Sequence, residues 1–261
     1  MTDGPAIGVA SHPKTSYPDL IAAAAGADVD FVELMLEGPG ERRRLADRAD
    51  AITDALPPSM GLVTHLPFSG VDIGAPLEHV RDGSIRELRA GIELTADLGG
   101  TKAVFHADTS VRPEIWAREP VRTNLFEAVE RVHGYGQEQS VAALPENVPG
   151  PFVSVETFPT LFDRTTASMT LDTGHARVSG FDDDELAAFV ADYGDRIAHL
   201  HLNDTRGPRD EHLPVGMGET DFAAIIGALP DGWSGTMTVE ALTSDFEYVE
   251  TGLRRLRSLL E

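Results

Sequence analysis

Apolar positions fall into two alternating patterns along the chain: short runs that are continuous or repeat every second residue, and longer stretches repeating every three to four. The short runs predict strands at 6–11 (AIGVAS), 30–36 (DFVELML, ending in Glu33 and Glu37), 61–68 (GLVTHLPF) and the segment KAVFHA that ends at His106. They continue with VAALPENV, SMTLDTGHA, the stretch opening at Ile197, and TMTVEAL. Between them lie predicted helices. Tyr17–Gly26 has Pro near its start, where a missing N–H costs nothing. GERRRLADRADAITDAL places Leu45, Ala49, Ile52 and Leu56 at helical spacing before Pro57-Pro58 stops it. Further helices are predicted at about His79–Leu98 (ended by Gly99-Gly100), at 114–139, near Phe158–Arg164, over DDDELAAFVADYGDR, from Thr220–Asp221, and over DFEYVETGLRRLRSLLE. Eight strands alternate with eight helices without a linker or low-complexity segment. That alternation predicts one α/β domain over residues 1–261, a (β/α)8 TIM barrel, with an open doubly wound sheet as the alternative. No GxGxxG follows the first strand, so a dinucleotide site has no support.

The densest chemistry lies in Ile197–Phe222, IAHLHLNDTRGPRDEHLPVGMGETDF. Ile197, Ala198, Leu200 and Leu202 are apolar, and His199, His201 and Asn203 alternate with them. A loop then delivers Asp204, Arg206, Arg209, Asp210 and His212 before Gly216 and Gly218. Imidazoles on a strand tip, facing a carboxylate and another imidazole on the next loop, are donors that metal sites use. The rest of the chain repeats the theme. His65, His106, Glu146, Asp172, His175, His201 and Glu240 all lie at or just past the end of a predicted strand, and in a barrel those ends form one rim. Asp182, Asp221 and Asp245 are read instead as helix N-caps, and His12, His79 and His133 as surface or core histidines.

Composition narrows the chemistry. With 261 residues, 41% hydrophobic and 25% charged, the chain can bury a sizeable core and has no run long enough to span a bilayer. The start MTDGPAIGVA lacks the regions of a signal peptide, so the expected compartment is the cytoplasm. The absence of Cys excludes thiolate ligands and thiol nucleophiles, leaving His, Asp and Glu to bind zinc, manganese, magnesium, cobalt or iron. The balance of 43 acidic to 21 basic residues gives a net charge of −22, and Lys14 and Lys102 are the only lysines. The acids are dispersed rather than gathered in a tail, which resembles the proteins of extremely halophilic archaea.

The order FVEL, THLPF, GSIRELRAGIELTADLGG followed by VFH, PEN, LDTGH, HLHLND, DEHLPVGMGETDF and VEAL resembles the xylose isomerase-like barrels, from about Asp30 to Leu242. That superfamily includes sugar isomerases and epimerases as well as endonuclease IV. The resemblance implies one divalent metal held by Glu146, Asp172, His201 and Glu240. In the endonuclease IV branch it implies up to three zinc ions, held by His65, His106 and Glu146, by Glu146, Asp172, His201 and Glu240, and by His175, Asp210 and His212. Two activities follow as expectations. The preferred one is a sugar or sugar phosphate isomerase or epimerase using Mn, Mg, Co or Zn, with Glu146 and Glu240 moving the proton beside a carbonyl and, by resemblance to family epimerases, His175 and Arg206 holding substrate oxygens. The alternative is a zinc endonuclease acting on abasic DNA. The loops SHPKTSYP and PFSGVDIGAP carry no Arg- and Gln-rich insertion suited to gripping a bent duplex, which favours the isomerase. A non-catalytic metal-binding barrel is the third reading.

The dispersed acidic surface makes a prediction about salt. Dialysis from molar salt to about 0.1 M lengthens the Debye length to about 10 Å and unmasks repulsion among the carboxylates. The melting temperature is expected to fall on that dialysis; an unchanged value would assign the composition another cause.

Overall fold

The structure, a computed structural model, describes residues 4–261. Its sheet is a closed barrel of eight parallel strands in sequence order: β1 (Ala6–Ala10), β2 (Phe31–Met35), β3 (Gly61–His65), β4 (Lys102–His106), β5 (Ala142–Glu146), β6 (Met169–Asp172), β7 (Ile197–Leu202) and β8 (Thr236–Val239). β8 pairs with β1, from Ala6 opposite Thr236 to Val9 opposite Val239, and this closes the ring. The fold is a (β/α)8 TIM barrel. No helix among the described residues is long and apolar enough to cross a membrane.

The sequence pattern located every strand but overran several C-terminal ends. The strand after Gly61 stops at His65 rather than Phe68, and β8 stops at Val239, one residue before Glu240. LDTGH is not extended throughout: β6 ends at Asp172 and a short helix occupies Thr173–Val178, capped by the Asp172 side chain. The expected single helix over 40–56 is two, Arg42–Ala46 and Ala49–Ala55, preceded by a 3-10 turn at Gly38–Gly40. The other long helices match their patterns closely, as Glu78–Asp97, Arg118–Glu138 and Phe246–Leu260. Asp182, Asp221 and Asp245 cap helices by accepting from the backbone N–H of Glu185, Ala224 and Glu247.

Two different interiors result. The large apolar core lies outside the barrel wall, where residues such as Leu34, Phe105, Leu171 and Leu200 meet Leu88, Ile92, Leu125, Val129 and Leu253 from the helices. Each such burial contributes about 1.5–3 kcal/mol. Inside the wall, Phe31, Val63 and Val104 form a small apolar plug with Ala6 against it. Gly8 makes room for the plug, because a Cβ there would lie 2.3 Å from the Phe31 ring. The remaining buried interior positions include Glu33, Thr170, Asp172, His199, His201 and Thr238, all at most 1% exposed. A barrel interior this polar can be stable only if its groups satisfy one another.

Candidate metal centre and active site

The strand ends deliver the site. His65, His106, Glu146 and Asp172 are the last residues of β3, β4, β5 and β6; His201 is the penultimate residue of β7, and Glu240 follows β8. Period-two alternation turns each of them away from the helices. The register places Asp172 beside His201 and His106 beside Glu146. Glu146, Asp172, His201 and Glu240 thereby present one ligand atom each within 4.8 Å of one another. His201 Nδ1 lies 3.1 Å from a Glu146 oxygen, 3.3 Å from Glu240 Oε2 and 4.0 Å from Asp172 Oδ2.

Two further groups flank this set, His65 with His106 and Glu146, and His175 with Asp210 and His212. His65 Nε2 and His106 Nε2 lie 3.2 and 3.4 Å from Glu146 Oε2. His175 Nε2 and His212 Nε2 approach Asp210 at 3.3 and 3.1 Å. Second nitrogens are tied down: His65 Nδ1 lies 3.0 Å from the Leu66 carbonyl and His175 Nδ1 lies 3.0 Å from that of Asn147. A ring whose far N–H bonds a carbonyl offers its other lone pair inward, which is how ligating histidines are oriented.

The loop after β7 is built to hold Asp210 and His212 in place. Asp204 is fully buried, and its carboxylate accepts backbone N–H groups of Thr205, Gly216, Gly218 and Thr220 at 2.8–3.1 Å. Gly218 allows this closeness, since a Cβ there would lie 2.4 Å from Asp204 Oδ1. Asp204 and Leu213 pair as an antiparallel bridge, and His212 takes a left-handed φ of 44°, a conformation that costs free energy and that the clamp enforces. Arg206 stands apart: it is exposed, and its guanidinium pairs with Glu211 at 2.6 Å instead of entering the cluster.

Two residues that sequence reasoning did not assign to the site complete its floor. Glu33 of β2 and His199 of β7 lie beneath His201, and Glu33 Oε1 lies 3.0 Å from His201 Nε2. The signal was present in FVEL, where a carboxylate shares the inward phase of Phe31 and Met35. Asn147 and Asn203 also serve the site: Asn203 Nδ2 donates to Asp172 Oδ2 at 2.6 Å, and Asn147 exchanges hydrogen bonds with the Asp172 backbone.

Electrostatics follow from burial and crowding. Burial opposes ionisation of Glu146, but His201, His175 and His65 around it hold its carboxyl well below the usual range. Asp172 is pushed up to about 7, by burial first and then by Glu146 and Glu240, only partly offset by His175. Burial works against protonated His201 and His175, yet the surrounding carboxylates raise both well above the usual imidazole value. His212, against its own burial, is raised to about 10 by Glu240, Asp210 and Asp172. His106 is pushed down to about 3 by burial. Glu240 Oε2 is buried and makes no hydrogen bond, although His201 Nδ1 and His212 Nδ1 lie 3.3 and 3.5 Å away. A buried carboxylate oxygen held only by such ion-pair approaches, in a ring of carboxylates and imidazoles, suits a cation, so these residues fit a divalent metal.

Residues 21–259 match the family described as xylose isomerase-like TIM barrel. An uncharacterized protein of Methanocaldococcus jannaschii is 26% identical over 190 residues, covering 69% of this chain; the chain spans 64% of the length of that curated relative. Among solved structures, a D-tagatose 3-epimerase-like protein superposes with a TM-score of 0.81 at 21% identity, covering 98% of this chain and 97% of that one. A protein from Thermus thermophilus, in crystals soaked with ZnCl2, is 26% identical with a TM-score of 0.75, covering 97% of each chain.

The raised groups set the pH dependence of metal binding. In the free protein Asp172, His201 and His175 hold protons to higher pH than usual, and an incoming cation must displace those on its ligands. Affinity is therefore lowest at acid pH and tightens as pH rises. Calorimetry with Mn2+ is expected to show binding tighter at pH 8 than at pH 6 by roughly tenfold or more, with proton release detected in buffers of different ionisation enthalpy. An affinity independent of pH would contradict this charge assignment.

Proposed function

The chain belongs to the xylose isomerase-like TIM barrels, and from that premise we propose that it is a divalent-metal-dependent sugar isomerase or epimerase. The observation that carries the reading is the convergence of Glu146, Asp172, His201 and Glu240 on one point at the barrel mouth, with Glu240 Oε2 buried and making no hydrogen bond. The sugar chemistry named for the neighbouring epimerase-like barrel supports the substrate class. When bound, Mn, Mg, Co or Zn would draw electron density from adjacent oxygens of a hydroxy-ketone and acidify the C–H beside the carbonyl.

The protein's own groups would do the rest. Glu146 and Glu240 flank the His201 Nδ1 position from two strands, and in this reading one takes the proton and the other returns it. Glu146 is held ionised by the surrounding imidazoles, ready to accept. Asn203 and the backbone N–H of His175 fix both oxygens of Asp172. His175 would hold a substrate oxygen through Nε2, and Arg206 would do so only on leaving Glu211. A cavity of about 450 Å3 beside His106 is walled by Phe68, Asp72, Asp108, Thr109 and Ser110, with no Lys or Arg. Its hydroxyls and carboxylates, set among Val71, Ile73, Val80 and Leu88, suit a polyol.

A second reading, a zinc phosphodiesterase acting on abasic DNA, is favoured by the two additional clusters, His65–His106–Glu146 and His175–Asp210–His212, which would bring the number of zinc ions to three. Against it stands the short stretch after β3, where Asp72 binds Thr109 and Ser110 and no basic side chain lines the cavity.

The test offers ketoses to the metal-loaded protein in deuterated water at molar salt, with abasic duplex DNA in parallel. Deuterium is expected at the carbon beside the carbonyl, and Glu240→Gln is expected to slow that exchange by about 10²–10⁴-fold while retaining some metal. Cleavage at the abasic site without ketose exchange would replace the isomerase with the phosphodiesterase.

A further inference from the structure

Beneath the mouth, the barrel interior contains an unbroken line of hydrogen-bonded side chains running down the axis. Lys102 opens β4 at the opposite end, where it borders a second cavity of about 390 Å3 shared with Asp195, Pro230, Asp231 and Trp233. Its ammonium donates to the Ala198 carbonyl at 2.8 Å and to Thr236 Oγ1 at 2.7 Å. Thr236 Oγ1 lies 2.5 Å from His199 Nδ1. His199 Nε2 lies 3.2 Å from Glu33 Oε2, and Glu33 Oε1 lies 3.0 Å from His201 Nε2. Thr238 adds its own O–H to Glu33 Oε2 at 2.6 Å. The line ends at His201 Nδ1, which faces Glu146, Asp172 and Glu240.

The chemistry of each member fixes the direction of the next bond. An ammonium donates and never accepts. Thr236 Oγ1 therefore accepts from Lys102 with one of its two lone pairs, which leaves its O–H free for His199 Nδ1. Ionised Glu33 can only accept, so a neutral His199 carries its proton on Nε2 and its bare Nδ1 accepts from Thr236. For the same reason Glu33 requires a proton on His201 Nε2, so Nδ1, which faces the mouth, is the nitrogen that gives up its proton to present a lone pair to a metal. Burial pushes the Lys102 ammonium down only to about 8, so it is still the protonated donor at neutral pH.

We propose that Lys102, Thr236, His199 and Glu33 are positioning residues that set the tautomer of His201 and hold its Nδ1 toward the metal set from across the barrel. Glu33, an acceptor towards both rings, sets the polarity of the line, and Lys102 anchors its far end as the donor to Thr236. One of the two lysines of an acidic chain is thus placed where only a donor will serve. The proposal rests on the metal reading of Glu146, Asp172, His201 and Glu240 but on neither candidate reaction.

The deciding measurement is the nitrogen-15 spectrum of the histidine rings, in the free protein and with Zn2+, a diamagnetic probe. The expected result is His199 neutral with its proton on Nε2 in both states, and His201 in the Zn2+ form bound through Nδ1 with its proton on Nε2. A proton on His199 Nδ1, or coordination of His201 through Nε2, would overturn the proposal in the wild-type protein, whatever the variants do. Were no Zn2+ bound, the metal reading would fall, and the His199 spectrum would still decide the polarity of the line. Variants give the second arm. Glu33→Gln is expected to weaken Zn2+ binding by roughly 10–100-fold. Lys102→Met and Thr236→Val are expected to weaken it less and to redistribute the His199 tautomers, with Thr236→Ser restoring both. A merely structural role would lower the melting temperature while leaving the Zn2+ affinity within about twofold and the ring spectra unchanged, and that result would contradict the proposal.

Discussion

Burial of several carboxylates within one ligand sphere is the constraint on which the rest of this molecule depends. Glu146 and Asp172 are essentially inaccessible to water, Glu240 is close to them, and Glu33 lies just below. Desolvated anions at such separations repel strongly unless positive charge is placed among them. Without a cation, the protein relieves the repulsion by holding protons on His201, His175 and His212 and by raising Asp172 towards its neutral form. In the proposed reading a divalent ion would perform the same neutralisation with fewer protons. In that reading, metal affinity and the protonation of the site are aspects of a single charge balance.

The architecture supports that balance by separating its two tasks. Stability comes from the apolar layer between the strands and the helices, leaving the interior of the barrel free to be polar. Inside, Phe31, Val63 and Val104, with Ala6 against them, form an apolar plug, and much of the remaining volume goes to polar side chains that satisfy one another. Closure of the sheet then fixes the ligands more tightly than any loop, since each sits at the end of a strand whose register is set by both neighbours. The loop after β7 is the exception. It is given comparable rigidity by Asp204, which gathers four backbone N–H groups onto one buried carboxylate.

Much of this was legible in the chain. Alternation of apolar runs located all eight strands, because parallel strands covered by helices read as short hydrophobic segments. The rim residues were legible because His and carboxylates at the ends of such segments have few structural uses. What was not legible depends on contacts between distant segments. The ends of β3 and β8 were overrun because Leu66 and Leu242 are apolar yet lie beyond the last ladder pair. The helix at Thr173–Val178 was hidden because Asp172 is both a candidate ligand and its N-cap. Glu33 and His199 were passed over because their meaning lies in each other, 166 residues apart in sequence and 3.2 Å apart in space. Arg206, expected from the resemblance to hold a substrate oxygen, is paired at the surface with Glu211, five residues on, a contact that the sequence did not announce.

At the centre stands the proposal that Glu146, Asp172, His201 and Glu240 form one cation site, with His201 contributing Nδ1. Anomalous diffraction at the manganese edge from crystals grown with Mn2+ tests it most directly. The expected result is a strong peak in contact with one oxygen from each of the three carboxylates and with His201 Nδ1, while Nε2 stays on Glu33. A peak elsewhere on the protein with these four residues unoccupied, or one bound through His201 Nε2 with Glu33 displaced, would contradict it.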